Sequence, residues 1–306
     1  VASHSPLSLD PAFSSREHTF SPRELADAVG VSESSMKRWI DAGEVAAART
    51  AGGHRRVSRR EAVRFIRARG LPVADLASLR LPELAGVPDA HASGPVTADA
   101  LIEALQAGKV ARVRALVLAE YVGGASVASL CDGLIRETLH RTGELWRRER
   151  TAGIGIEHTA TDTFAQTLGQ IRSLRPLPSA EAPVAVGGAI SGDPYLIPSL
   201  MAAAVLEDLG YHVTNLGADT PAEVLVDTAR RRDADLLWFS VSTAPSLDAL
   251  RQAGEHITAG LQDSGVRVVV GGRKADERAL PGLTVLPSMQ ALASVGEQVL
   301  ATRRDA

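Results

Sequence analysis

Apolar positions along the chain change their period twice. From Ser21 to Gly70 they recur at helical spacing in short runs broken by Gly30, Gly43 and the pair Gly52-Gly53, which predicts compact elements joined by tight turns. Ser21, followed by Pro22 and then Glu24 three residues on, is a capping-box start for a helix over Pro22–Val29. Ser32 caps a second helix from about Glu33 to Ala42, which offers Val31, Met36, Trp39 and Ile40 to a core, and a further helix follows Ser58. Residues 71–96 carry Pro72, Pro82, Pro88 and Pro95 among small polar residues, a composition that breaks helices and stiffens a linker, with room for one short helix. From Thr97 to about Leu174 proline is absent, and Leu101, Ile102, Leu105, then Val110, Val113, Leu116 and Val117 keep helical spacing. Four packed helices are therefore expected over residues 97–175.

Beyond Pro176 and Pro178 the period shortens. Pro183–Ile190, Tyr211–Leu216, Leu236–Val241, Val266–Val270 and Leu283–Leu286 are apolar runs separated by helical stretches, the pattern of parallel strands buried on both faces. Residues 182–303 are expected to form a flavodoxin- or Rossmann-like doubly wound parallel sheet, so the fold class is α plus α/β, in several domains. Residues 1–18, rich in Ser and Pro without periodicity, are expected to be a flexible arm.

Composition narrows the class of function. With 45% hydrophobic and 23% charged residues, wholesale disorder is excluded, and 4% aromatic implies cores of Ala, Val and Leu. The single cysteine, Cys131, excludes an internal disulfide and a cysteine-built zinc site, which points to the reducing cytoplasm. No apolar run approaches the roughly 20 residues that cross a bilayer, so no membrane partner is expected. The net charge of −3 hides an asymmetry: residues 16–70 hold 12 Lys and Arg against 7 Asp and Glu. A basic head that touches an anion, on an acidic body that does not, is the implied arrangement.

In that head, Ser34, Ser35, Lys37 and Arg38 share the outer face of the second helix, short donors and long cations suited to base edges and phosphates. Arg49, His54, Arg55 and Arg56 flank Gly52-Gly53, where a two-stranded wing would lay cations along a phosphate backbone. A charge run is equally what a solvated face looks like. The order of helix, turn, helix with Lys37-Arg38-Trp39, wing with Gly52-Gly53-His54-Arg55-Arg56, and helix resembles the winged helix-turn-helix DNA-binding domain of the MerR family over residues 19–70. The resemblance implies binding of double-stranded operator DNA. Self-association as a dimer or tetramer goes with it, because one winged helix covers too little DNA for tight recognition.

In the helical middle, Trp146, Glu157 and His158 are on their own a core tryptophan with a hydrogen-bonded Glu and His on a helix flank. The segment Thr142–Phe164 resembles the four-helix cap of cobalamin-dependent transcriptional photoreceptors of the CarH/LitR type, in which such a Trp and Glu-His lie over the upper face of the cofactor. Ten residues separate Trp146 from Glu157, against nine in that family. Residues 183–301 resemble the cobalamin-binding domain that follows these caps: GYHVTNLGADTP at 210–221 matches its second strand and loop. Ser240-Val241-Ser242, and Gly271-Gly272 after 28 intervening residues, match its Ser-bearing strand end and double glycine. The resemblance implies that Ser240, Ser242, Gly271 and Gly272 line the cofactor's nucleotide tail.

The family's loop after the first strand runs Asp or Glu, any residue, His, two residues, Gly, with the His as lower cobalt ligand. Here the loop is Asp193, Pro194, Tyr195, Leu196, Ile197, Pro198, so Tyr195 and Pro198 replace the His and the Gly and no metal ligand is assigned. Three readings of the pocket stay open: cobalamin without ligation from below, a haem held by Tyr195, or another small-molecule effector or no ligand, with Tyr195 and Pro198 filling the groove. His212 and His256 are expected to be partly exposed rather than metal ligands. The expected function is that of a sequence-specific DNA-binding transcriptional regulator, not an enzyme, controlled through a sensory module in its oligomer state or operator affinity. The alternatives are a corrinoid-binding carrier or enzyme accessory protein, and a ligand-free oligomerising regulator.

Overall fold

The structure, a computed structural model, describes residues 19–73, 76–81, 95–149, 151–243 and 246–304, with the backbone alone at 76, 77, 145–149, 151, 152 and 304. The expected arm at 1–18 and most of the linker over 71–96 lie outside the described residues; within the linker, Leu76–Leu79 form one short 3-10 helix.

The head is built from β1 (Thr19–Phe20), α1 (Pro22–Ala28), α2 (Glu33–Asp41), β2 (Ala48–Arg49), β3 (Arg55–Ser58) and α3 (Arg59–Arg69). Its antiparallel sheet has the order β1-β3-β2, so the expected two-stranded wing gains a third strand. The sequence signal of β1 is too short to find: two residues pair with Ser58 and Val57, and the Phe20 ring is buried beneath them. At α1 the Ser21 hydroxyl accepts from the Glu24 N–H at 3.2 Å while Glu24 Oε2 accepts from the Ser21 N–H at 2.7 Å, closing the capping box. Leu25, Met36, Val57, Phe65 and Ile66 form the core of the head, with Trp39 tilted against Phe65 at 5.3 Å.

The middle comprises α4 (Ala98–Gln106), α5 (Val110–Val122), α6 (Val127–Leu130), a π-helical turn at Cys131–Ile135, α7 (Arg136–Glu149) and α8 (Thr151–Leu174). Helices α4, α5, α7 and α8 pack on one another, and α6 runs through the π turn into α7. The wide turn carries Asp132, whose two carboxylate oxygens accept from the Met289 and Gln290 N–H groups at 3.0 and 2.9 Å. A side chain of the middle thus caps the last helix of the chain.

The remainder alternates β4 (Val184–Ala189), α9 (Ile197–Asp208), β5 (His212–Asn215), α10 (Ala222–Arg231), β6 (Leu236–Ser240), α11 (Leu247–Leu261), β7 (Arg267–Gly271), β8 (Thr284–Val285) and α12 (Met289–Arg304). All four strand pairings are parallel and the order is β5-β4-β6-β7-β8, so the chain reverses direction across the sheet at the β4/β6 boundary. Strand alternation divides the side chains. Ala185, Leu236, Trp238 and Val269 face α9 and α12 in a core continuous with the middle and the head, while Val186, Leu237, Phe239 and Val270 face α10 and α11. No helix among the described residues is long and apolar enough to cross a membrane.

One junction ties the three parts. The Arg67 guanidinium on α3 donates to the carbonyls of Tyr121 and Ala125 and lies 3.8 Å from the Tyr121 ring centroid. The Tyr121 hydroxyl donates to Asp208 Oδ1 at the end of α9, and Asp208 Oδ2 accepts from the Val127 N–H that opens α6, both at 3.3 Å. Burial, and then the Asp208 carboxylate, raise the Tyr121 phenol above its ordinary pKa.

Candidate functional site

Helix α2 is held on the head by buried Met36 and half-buried Trp39 and Ile40, which turns its other face outward. Ser34, Lys37 and Arg38 are exposed there, and Ser35 is half-buried beside them. The Ser34 and Ser35 hydroxyls both meet that of the N-cap Ser32, at 2.9 and 3.0 Å. Lys37 Nζ pairs with Glu33 at 2.8 Å, whereas Arg38 forms an ion pair with none of the described residues. In the wing, Thr50 to His54 form the tip, closed by the Thr50 N–H on the His54 carbonyl and the Gly53 N–H on the Thr50 carbonyl. Arg49 and His54 are exposed.

The other two wing cations are not free as the sequence suggests. Arg55 pairs with Asp41 at the end of α2, and Arg56 sits 3.6 Å from Glu24, which also binds Arg80. Alternation along β3 sends them to opposite faces of the strand, and each finds an acid of the head there. The outward cations of this surface are Arg38 and Arg49, with Lys37 shared with Glu33.

At the C-terminal edge of the large sheet the loops after β4, β5 and β6 are zipped together. Asp193 is fully buried: Oδ1 accepts from the Tyr195 N–H at 3.1 Å and Oδ2 from the Ser242 N–H at 2.5 Å. It therefore bridges the ends of β4 and β6, the point where ligands of this fold class enter. The Asp219 N–H donates to the Asp193 carbonyl, Asp219 Oδ1 accepts from the Gly192 N–H at 2.7 Å, and the Thr243 hydroxyl donates to the Gly192 carbonyl. Asp193 is thus a loop clamp whose two carboxylate oxygens both accept from backbone N–H groups.

One expectation is corrected here. Tyr195 does not fill a groove. It is 43% exposed on the loop, with the Arg273 guanidinium 5.6 Å from its ring centroid and Arg273 Nε donating to the Ser242 carbonyl. Pro198 does not fill one either: with fixed φ it serves the first turn of α9, where its missing N–H leaves no bond unmade. Gly272, which the resemblance places along the nucleotide tail, is also required by the fold itself, since its φ is +109° and a Cβ there would collide with the Val241 carbonyl. At Gly271 a Cβ would meet open space. Ser240 and Ser242 are buried, and the Ser240 hydroxyl has no hydrogen-bond partner among the described residues.

Of the cap residues, the Trp146 side chain lies outside the described residues. Glu157 and His158 lie on α8 and turn to each other at 3.6 Å, with Glu157 also accepting from the Thr161 hydroxyl; the His158 ring is 76% exposed. Neither forms a hydrogen bond or ion pair with the described residues of the sheet's loops. His212 is half-buried on β5, bonded to the Ser179 carbonyl, and His256 is exposed on α11. Sequence reading missed Arg273, the cation over Tyr195, and Trp238, whose indole fills the space beside Gly187. The signal for Trp238 was an indole placed before Phe239 in a fully buried strand, and it points to a site only once the strand register is known.

Cobalt held from below by a protein side chain does not fit these residues. The position nearest the edge presents an exposed phenol beside a cation, and a phenol is a poor cobalt ligand beside neutral imidazole.

Comparison with known proteins bears on both ends of the chain. Residues 19–70 match the family described as a helix-turn-helix domain, and residues 183–285 match the B12 binding domain. A stretch of 121 residues, 39% of the chain, is 27% identical to dimethylamine corrinoid protein 3 of Methanosarcina mazei and covers 72% of that relative. Its namesake in Methanosarcina acetivorans is 29% identical over 94 residues, and there the chain spans 44% of the relative's length. Among solved structures, the monomethylamine corrinoid protein of Methanosarcina barkeri aligns with 65% of the chain and 96% of its own, at 16% identity and a TM-score of 0.49. A cobalamin-binding protein of Desulfitobacterium hafniense aligns with 66% of the chain and 98% of its own, at 16% identity and a TM-score of 0.36. One polypeptide therefore carries a helix-turn-helix domain at its front and a B12-binding domain at its back.

Proposed function

We propose that the chain is a cytoplasmic, sequence-specific DNA-binding regulator of the MerR type, not an enzyme, whose operator affinity or oligomer state is set through its B12-binding domain acting as a sensory module. The observation that carries this reading is the fusion of the two domains through the Arg67–Tyr121–Asp208 junction, which runs from the last helix of the head to the end of α9. A change in the position of α9 has a direct path to α3, and α3 braces the wing through Ser58. The outward face of α2 with Arg38, and the wing tip with Arg49 and His54, supply the groove-reading surface. Two or more copies then read spaced half-sites.

Selection of duplexes from a random pool, followed by mobility-shift titration at near-physiological ionic strength, tests the proposal. The expected result is a preferred duplex bound about 1,000-fold or more tighter than bulk competitor. No preference for any duplex sinks it. The second reading, a corrinoid carrier, is favoured by the names of the relatives; Tyr195 in place of an imidazole counts against it, because a carrier must hold cobalt through changes of coordination.

A further inference from the structure

The face of the large sheet turned to α9 and α12 loses its side chains toward the C-terminal edge. In register across three strands stand Gly187 opposite Trp238, Ala189 opposite Ser240, and Ser240 opposite Gly271. Adjacent small residues of this kind leave a slot between sheet and helix. One large group lies in it. A Cβ on Gly187 would collide with the fused edge of the Trp238 indole, at Cδ2 and Cε2, and with the Trp238 carbonyl, so the indole lies in the room that this glycine leaves.

The ring is fixed there. Trp238 is 2% exposed; its Nε1–H donates to the Ser199 hydroxyl at 3.3 Å, and Ser199, itself fully buried on α9, donates to Asn215 Oδ1 at 2.8 Å. Asn215 Oδ1 also accepts from the Gly217 N–H at 3.0 Å. Nearer the edge the slot is loosely filled: among the described residues the Ser240 hydroxyl is buried without a partner and nothing would stand within 4 Å of a Cβ at Gly271. A buried hydroxyl left unsatisfied beside open space marks a place built to meet another group.

The nucleotide tail of cobalamin ends in a benzimidazole, a fused six-five bicycle as flat and wide as an indole. We infer that Trp238 is a built-in plug: the chain's own bicycle stands in the slot that the tail would have to enter, so the module discriminates against corrinoids that carry a nucleotide tail. The inference rests on reading residues 183–285 as a domain of B12-binding shape, the reading on which the proposed sensory role also depends.

The test uses the full chain and two probes, hydroxocobalamin and the tail-less aquacobinamide, with retained visible absorbance measured after desalting. In Tyr195→His protein, where an imidazole is restored on the loop, cobinamide is expected to be retained and cobalamin at least about tenfold less. Adding Trp238→Ala should bring the two to near equality. Trp238→Leu in the same background serves as a second, better-filled variant, and circular dichroism verifies that each protein folds. Equal retention of both probes by Tyr195→His overturns the inference. So does discrimination that survives in a folded Trp238 variant, and so does failure of every variant to hold either probe. Mobility shifts on the same proteins keep the two conclusions separate: a preferred duplex that survives loss of the plug leaves the regulator reading intact, and absence of any preferred duplex removes that reading without touching the plug.

Discussion

At the scale of single residues, the wing shows how a charge in the sequence differs from a charge available to a partner. Arg49 and Arg55 stand opposite each other across β2 and β3, yet Arg55 is paired with Asp41 while Arg49 is exposed. Each cation that neutralises a phosphate adds roughly 0.9 to the salt slope of DNA binding. Arg49→Ala should therefore lower the slope by about one phosphate contact, as should Arg38→Ala, and Arg55→Ala by clearly less, since its charge is already met. Titrations at four salt concentrations measure this, and a larger slope change for Arg55 than for Arg49 would mean that DNA displaces Asp41. The same gap between identity and environment explains what was legible at the sheet edge. Tyr195 and Pro198 could be noticed as departures from a motif in one short segment. Trp238 could not be recognised as a plug, because its partner Gly187 lies on another strand and only the register brings them together. Gly187→Ala, which drives a methyl into that indole, should cost about 1–3 kcal/mol in urea denaturation.

Elements were more legible than residues wherever the signal was local. The cap Ser21-Pro22 with Glu24, the caps Ser32 and Ser58, and the apolar runs of β4 to β8 were all visible, because each depends on neighbours in sequence. The third strand of the head and the π turn at Cys131–Ile135 were hidden, because each is set by a partner far along the chain: Val57 for Phe20, and the start of α12 for Asp132. The capping box at α1 also makes a pH-dependent prediction. The Ser21 N–H, aided by the Ser21 hydroxyl and by Arg80 and Arg56, holds the Glu24 carboxyl below its ordinary pKa, although partial burial opposes this. A depressed folded value means that the stabilisation is present above the unfolded value near ~4.3 and is lost as the pH falls through the folded value. Ser21→Ala should cost about 1 kcal/mol at neutral pH. Glu24→Gln should also destabilise the head at pH 7, and the difference from wild type should shrink in acid. A difference that stays constant with pH would show that Glu24 acts by packing alone.

For the whole molecule the question is whether head and body move as one. A single hydrophobic core runs from Phe20 and Phe65 through Tyr121 and Phe164 to Trp238 and Val269, which favours one cooperative unit. Its polar fastener is Arg67, which gives hydrogen bonds to two carbonyls of the middle and stacks on Tyr121, whose hydroxyl reaches Asp208. Hydrogen bonds from a charged donor contribute about 1.5–3 kcal/mol, and the stacked cation adds about 0.5–1 kcal/mol. Tyr121→Phe removes only the hydroxyl contact with Asp208 and should cost about 1 kcal/mol while leaving head and body joined. The raised pKa of the Tyr121 phenol sets a sign for the wild type: its stabilisation is complete below the unfolded value near ~10 and falls as the pH rises beyond it, a loss that Tyr121→Phe should reduce but not abolish, because burial raises the Tyr211 phenol and the Cys131 thiol as well. Arg67→Ala leaves the apolar contacts in place but strips the carbonyls of Tyr121 and Ala125 of their shared donor. Scanning calorimetry should then resolve a lower-melting head from the body, where the wild type gives one transition. If Arg67→Ala still melts in one step at an unchanged midpoint, the apolar core alone couples the parts, and a signal from α9 to the DNA-reading surface would have to travel through packing rather than through this guanidinium.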